Sequence, residues 1–245
     1  MVDYPKIFGI DLSLNHYAIC QLDFASGICL DYQFLTTSKK FEKIDSLHSV
    51  LLPTNKDGAN ENNDELRKNR VMAYLIRYLQ KKDPNGLSNV YISLEGYAYS
   101  AQTRSITQIA ELTGYMKAMF WNLHCNLRIH DPLTVKLYAT GKGVCLKKDI
   151  VEAAQNSDLT FPKELIKVTK KKTKNGYVEE YDGPATDISD AYFLADMLRT
   201  ELLIRDGQLD LKKLPEQHRN IFLRVTKGYP VNILARPFVY KHEDI

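Results

Sequence analysis

The sequence predicts an α/β fold, a mixed sheet flanked by helices, with a basic β-hairpin inserted late in the chain. Three observations carry this. The chain opens with three β-rich runs whose connections are too short for a parallel crossover, which takes about a dozen residues, so the runs pair antiparallel. Helical and strand patterns then alternate, as they do when helices cover the faces of a sheet. Finally, a Lys-rich stretch centres on Asn175-Gly176, the strongest short-range hairpin signal.

Taken in order, Ile7, Phe8 and Ile10 form a short apolar run that ends on Asp11. Tyr17 to Leu22 is a second β-rich run, and Ser26-Gly27 turns the chain into a third from Ile28 to Leu35. Pro53 to Asn63 is rich in Asn, Asp and Gly and reads as a loop. Val71, Tyr74, Leu75, Tyr78 and Leu79 recur at helical spacing, and Asp83-Pro84-Asn85-Gly86 stops that helix. Asn89 to Glu95 is a strand that again finishes on a carboxylate. A helix from about Ser105 to Asn122 leads to a short strand, Leu127 to His130, and Pro132 opens another helix. Leu165 to Thr169 and Tyr177 to Tyr181 flank the hairpin turn. A last long helix runs from about Ile188 to Arg205, and Ile221 to Val225 and Val231 to Leu234 are β-type runs suited to an edge strand or hairpin.

The 245 residues suit one decorated domain spanning 1–245: a core at about 6–205, a hairpin at about 163–181 and a C-terminal extension at about 206–245. A net charge of +3 identifies no partner by itself. No apolar run approaches the ~18 to 20 residues that span a bilayer, so no membrane partner is expected. Met1 to Pro5 has neither the basic nor the apolar region of a secretory leader. Cys20, Cys29, Cys125 and Cys145 lack metal-finger or disulfide-framework spacing and read as reduced thiols, so a cytoplasmic location is expected.

Function is legible in the carboxylates. Asp11 and Glu95 end strands, and Asp187 and Asp190 lie three apart near the start of the last long helix, on one helix face. Ligands of α/β sheets gather outside the carboxyl ends of strands. Four acids in one cleft repel one another, and a divalent cation relieves that repulsion. An all-oxygen donor set selects a hard ion, Mg²⁺ or Mn²⁺. Two such ions about 4 Å apart support phosphodiester hydrolysis by activating water and stabilising the leaving oxygen. A plainer reading stands beside this: Asp187 as an N-cap with Asp190 as the N3 acid, and Asp11 and Glu95 as turn residues. His130, alone at a strand end, reads as structural.

The basic residues supply the partner. Between positions 123 and 176 there are eleven Lys or Arg against five acids, leaving the rest of the chain net acidic. Such a segment beside an acidic metal site suits a nucleic-acid backbone, with Lys136, Lys142, Lys147, Lys148, Lys170, Lys171, Lys172 and Lys174 as contacts. Gly141-Lys142-Gly143 lets backbone amides approach a phosphate. Tyr97 and Tyr99 are candidates to stack on unpaired bases. The alternative for Lys170 to Lys174 is a solvated charged loop.

These residues resemble the RuvC-type Holliday-junction resolvases of the RNase H-like superfamily. The resemblance rests on Ile7-Phe8-Gly9-Ile10-Asp11, Ile92-Ser93-Leu94-Glu95, Val135-Lys136 with Thr140-Gly141-Lys142-Gly143 and Lys147 to Val151, and Asp187-Ile188-Ser189-Asp190-Ala191, in the family's order over residues 6–205. It implies an RNase H-like fold, with Asp11, Glu95, Asp187 and Asp190 as metal-binding acids and Lys136 and Lys147 as basic catalytic-site residues near the scissile phosphate. It also implies a homodimer that resolves four-way junctions by paired nicks with Mg²⁺. The family's Asp-Pro-Gly is here Asp11-Leu12-Ser13, and the added segments resemble an enlarged phage or viral form. The rivals are a nuclease for flaps, branched replication DNA or RNA–DNA hybrids, and a non-catalytic junction binder.

Overall fold

The computed structural model describes residues 4–41, 49–52, 62–96, 103–157, 159–173, 176–223 and 234. The opening meander forms as expected. Strands β1 (Lys6–Leu12), β2 (His16–Leu22) and β3 (Cys29–Thr36) pair antiparallel in sequence order. A three-residue strand not expected from the sequence, β4 (Ser49–Leu51), joins β3 in parallel at one edge. Helix α1 (Asn62–Lys82) then leads to β5 (Val90–Glu95), which lies parallel to β1, and α2 (Thr103–Asn122) leads to β6 (Asn126–His130), parallel to β5. The sheet order is β4-β3-β2-β1-β5-β6, so β1 runs through its interior. Most of the Pro53 to Asn63 loop lies outside the described residues.

Beyond the sheet come α3 (Pro132–Thr140) and α4 (Lys147–Asn156), then a separate two-stranded hairpin, β7 (Lys167–Thr173) with β8 (Gly176–Asp182). The chain continues with α5 (Pro184–Arg205) and α6 (Glu216–Leu223). Among the described residues no helix is long and apolar enough to cross a membrane.

Both faces of β1 are covered, which is why its sequence reads as a continuous apolar run instead of an alternating one. Phe8 and Ile10 join Leu75, Met116 and Phe120 in a core under α1 and α2. On the other face Ile7 and Ala18 pack with Ile188, Ala191 and Ala195 of α5. Gly9 sets the depth of that second contact: a Cβ there would lie 1.9 Å from the Ala191 carbonyl oxygen and 2.5 Å from the Ala195 amide nitrogen. Only glycine allows the helix backbone to rest on the strand at this point.

Three expectations are corrected. Helix α5 starts at Pro184 with Gly183 as its N-cap, so Asp187 lies inside the helix and the N-cap explanation for it falls. Pro184 supplies the preset φ of a first helical residue. The run from Ile221 is helical, not β: α6 begins at Glu216 after Pro215 and buries Ile221 and Phe222, since a short apolar run suits a buried helix turn as well as a strand. Arg128, counted with the basic segment, is buried; its guanidinium grips Glu201 of α5, and Arg205 holds the same carboxylate at 2.7 Å. It belongs to the fold and not to a nucleic-acid surface. Except for Leu234, the Val231 to Leu234 run lies outside the described residues.

Candidate active site

Strand alternation sends Gly9 and Asp11 of β1, and Ser93 and Glu95 of β5, to the α5 side of the sheet. The parallel pairing of β1 with β5 brings Asp11 and Glu95 to the same end of the sheet. Over that end passes the first part of α5, held down at Gly9, carrying Asp187 and, one turn on, Asp190. The four acids predicted from three separate stretches of sequence are thus brought together, each partly buried.

Their electrostatics record the crowding. Burial lifts the Asp11 carboxyl well above the usual carboxylate range, and the charges of Glu95, Asp190 and Asp187 lift it further. Asp11 and Glu95 lie close enough for each carboxyl to influence the ionisation of the other. Glu95 is itself raised by burial, with Lys136 opposing. Asp190 is pushed up to about 8 by burial and then by Glu95 and Asp187. Asp187 reaches only about 6: burial raises it, while Lys147 and a hydrogen bond from the Thr186 hydroxyl at 3.2 Å hold it down.

Two lysines frame the acids. Lys136 on α3 acts on both Glu95 and Asp190. Lys147, the first residue of α4, acts on Asp187 and Asp190 and lies 3.8 Å from Asp182 at the end of β8. Helix α4 was not expected, although Asp149 at its third position accepts a hydrogen bond from the Leu146 amide, and Ile150, Val151 and Ala154 recur at helical spacing. Sequence reasoning also missed Asp182 and His16. The ring of His16 stacks on Phe34 and bonds the Thr36 hydroxyl at 2.9 Å; burial lowers its pKa, while nearby Asp182 raises it and Lys147 lowers it. Neither residue has a sequence signal, because only the β1–β2 turn and the hairpin bring them to the site.

The remaining candidates are placed less closely. Lys142 is exposed on the loop after α3, and Lys148 is paired with Glu152 at 3.5 Å. Lys170 is exposed on β7; Lys171 and Lys172 belong to the same strand, with side chains outside the description. Lys174, Tyr97 and Tyr99 lie outside the described residues. His130 is buried at the end of β6, opposite Glu95.

The acids fit a hard divalent cation by donor chemistry: all are carboxylates, and their burial beside one another calls for positive charge. Among the described residues no three His, Cys, Asp or Glu side chains are gathered tightly enough to hold an ion as they stand. The fit therefore rests on charge and donor type.

No family model and no curated protein matches the chain. Among solved structures it is similar to Thermus thermophilus RuvC, with 15% identity and a TM-score of 0.49 over 82% of this chain and 96% of that one. It is also similar to T. thermophilus RuvC in complex with a Holliday junction substrate, with 14% identity, a TM-score of 0.50 and the same coverages. The fold is that of the RuvC-type, RNase H-like class, a mixed sheet flanked by helices.

Proposed function

We propose that this chain is a Mg²⁺-dependent DNA endonuclease that resolves four-way junctions, working as a homodimer. The single observation that carries the reading is the convergence of Asp11, Glu95, Asp187 and Asp190 at one end of the sheet, with burial and mutual repulsion opposing their ionisation and Lys136 and Lys147 beside them. A binder without chemistry gains nothing from such repulsion. That a protein of the same fold is solved with a Holliday junction supports the choice of branched DNA.

The four carboxylates would hold the metal, two ions per site, with Mn²⁺ able to replace Mg²⁺. When bound, the ions would lower the pKa of the attacking water and stabilise the leaving oxygen. Lys136 and Lys147 draw the scissile phosphate against the acids and offset charge building on its oxygens. Exposed lysines of the loop after α3 and of the hairpin fix the strand through phosphate contacts. A two-fold dimer sets two such sites on opposing strands, so nicks come in pairs by symmetry.

The test is to incubate the protein with Mg²⁺ and labelled four-way junction, flap, linear duplex and RNA–DNA hybrid. Paired nicks near the crossover of the junction are expected, and Asp11→Asn, nearly isosteric, keeps binding while losing cleavage. Preferred cutting of flap or hybrid would transfer the chemistry to another substrate. Wild-type cleavage by Asp11→Asn would reject the metal-site assignment.

A further inference from the structure

The loop from α3 to α4 has an unusual surface for a segment so rich in charge. Gly141 ends α3 in the left-handed conformation, with φ of 73°, and turns the chain back so that Gly143 lies beside the start of α3, where its Cβ position is 3.9 Å from the Leu133 carbonyl oxygen. Cys145 is partly buried and packs against the core. Its neighbours point outward. Val144 is 86% exposed, and Leu146 and Leu133 are each 55% exposed. Single exposed apolar side chains are ordinary, but Val144 and Leu146 stand on one short loop whose Gly143 lies against the backbone of Leu133, which makes an apolar rim here. The residue that follows, Lys147, reaches Asp187 and Asp190.

Val144 at this exposure contributes little to folding, so its apolar character is free to serve a partner. The surrounding charge selects that partner. Lys136, Lys142 and Lys147 punctuate the rim, so whatever meets it presents apolar surface a few ångströms from negative charge. A nucleic acid does this: its bases are flat and apolar on their faces, and its phosphates lie alongside. Branched-chain residues that enter between base steps unstack and kink the strand, and the cost of a few kcal/mol is least where stacking is already broken.

We propose that Val144 and Leu146, with Leu133 beside them, form a wedge that enters a base step next to the phosphate held at the acid cluster. The proposal rests on the nuclease reading and specifies its substrate: DNA whose stacking is interrupted at the cut. On that basis, branch preference comes in part from this rim, because a continuous duplex must be unstacked first.

The experiment uses a four-way junction with 2-aminopurine at the step beside the branch, in EDTA so that binding is read without cutting. Wild-type protein is expected to raise the emission on binding. Val144→Ser with Leu146→Ser should abolish the rise and weaken binding roughly tenfold, as expected for two apolar side chains losing their burial. The salt slope should be unchanged, since no phosphate contact is lost. Both positions are exposed, so the melting temperature should hold, and Val144→Ile with Leu146→Met should restore the emission. An equal rise from the serine variant would overturn the wedge, as would conversion of a dimer to a monomer by those substitutions, which would make the rim a protein interface. If wild-type protein cuts the junction in Mg²⁺ yet gives no rise, the wedge fails and the nuclease reading stands. If it neither binds nor cuts any branched or hybrid substrate, the nuclease reading fails and the wedge with it.

Discussion

Asp190→Asn should make the metal-free protein more stable and the enzyme inactive, and the size of the first effect can be worked out. The Asp190 carboxyl titrates at about 8 in place of 3.8, chiefly through burial and then through Glu95 and Asp187. Its folded titration point lies above its unfolded one, so the unfolded chain releases the proton first and stability declines as pH rises from about 4 to about 8, then levels off. At ~1.4 kcal/mol per pH unit, keeping this group in the folded site at pH 8 costs on the order of 5 kcal/mol. Asparagine keeps the shape and removes the charge. Allowing for the burial of its amide, a gain of about 2 to 4 kcal/mol remains, or roughly 5 to 10 °C in Tm for a chain of this length. Thermal melts of both proteins in EDTA at pH 5 and pH 8 measure it. The difference should be small at pH 5 and large at pH 8, and Mg²⁺ should raise the Tm of the wild type much more than that of the variant. Equal melting of the two proteins at pH 8 in EDTA would show that burial and the neighbouring acids do not oppose ionisation of Asp190 as the geometry requires. Indifference of the wild type to Mg²⁺ would remove the metal site.

Three further outcomes follow from other parts of the molecule. Gly9→Ala sets a methyl group 1.9 Å from the Ala191 carbonyl oxygen, so α5 must lift; a loss at or above about 3 kcal/mol is expected in urea melts, with cleavage lost in any protein that still folds. Glu201→Ala leaves the buried Arg128 without its counter-charge and should cost about 3 to 5 kcal/mol, whereas Arg128→Leu with Glu201→Leu should cost much less; equal losses would mean the pair is not a unit. Changing Lys170, Lys171, Lys172 and Lys174 together to Ser should flatten the dependence of log K on log salt by about 0.9 for each phosphate contact removed, and an unaltered slope would leave the hairpin as a solvated decoration.

What could be read from the sequence follows from how locally each feature is encoded. Asp11 and Glu95 were visible because each closes a short apolar run, and strand ends are where ligands gather in α/β sheets. The hairpin was visible because Asn175-Gly176 is a local turn signal. Strand β4 was not, because three residues carry no period and its pairing with Thr36 and its neighbours is a tertiary fact. The Ile221 run misled because apolar continuity does not distinguish a strand from a buried helix turn; Pro215-Glu216 was the local clue to a helix start. Arg128 misled for a different reason. Its charge was counted along the chain, but its partner Glu201 lies 73 residues away, and no sequence window holds both.

Arg128 also helps to explain how the site survives its own repulsion. Clustered carboxylates without a cation push α5 off the sheet, and the helix is held against that push at two places. At Gly9 the strand and helix backbones interlock next to Asp190. Eleven residues further on, about 16 Å along the helix at 1.5 Å per residue, Glu201 is clamped between Arg128 of β6 and Arg205. A buried ion pair in the fold's interior adds little net stability over an apolar pair, but it fixes one register, since a slip of α5 by a single residue would strand both charges. The register so fixed is the one that sets Asp187 and Asp190 over Asp11 and Glu95. The double leucine variant can therefore be stable and still cut poorly, because apolar contact tolerates a sliding helix and the carboxylate geometry does not.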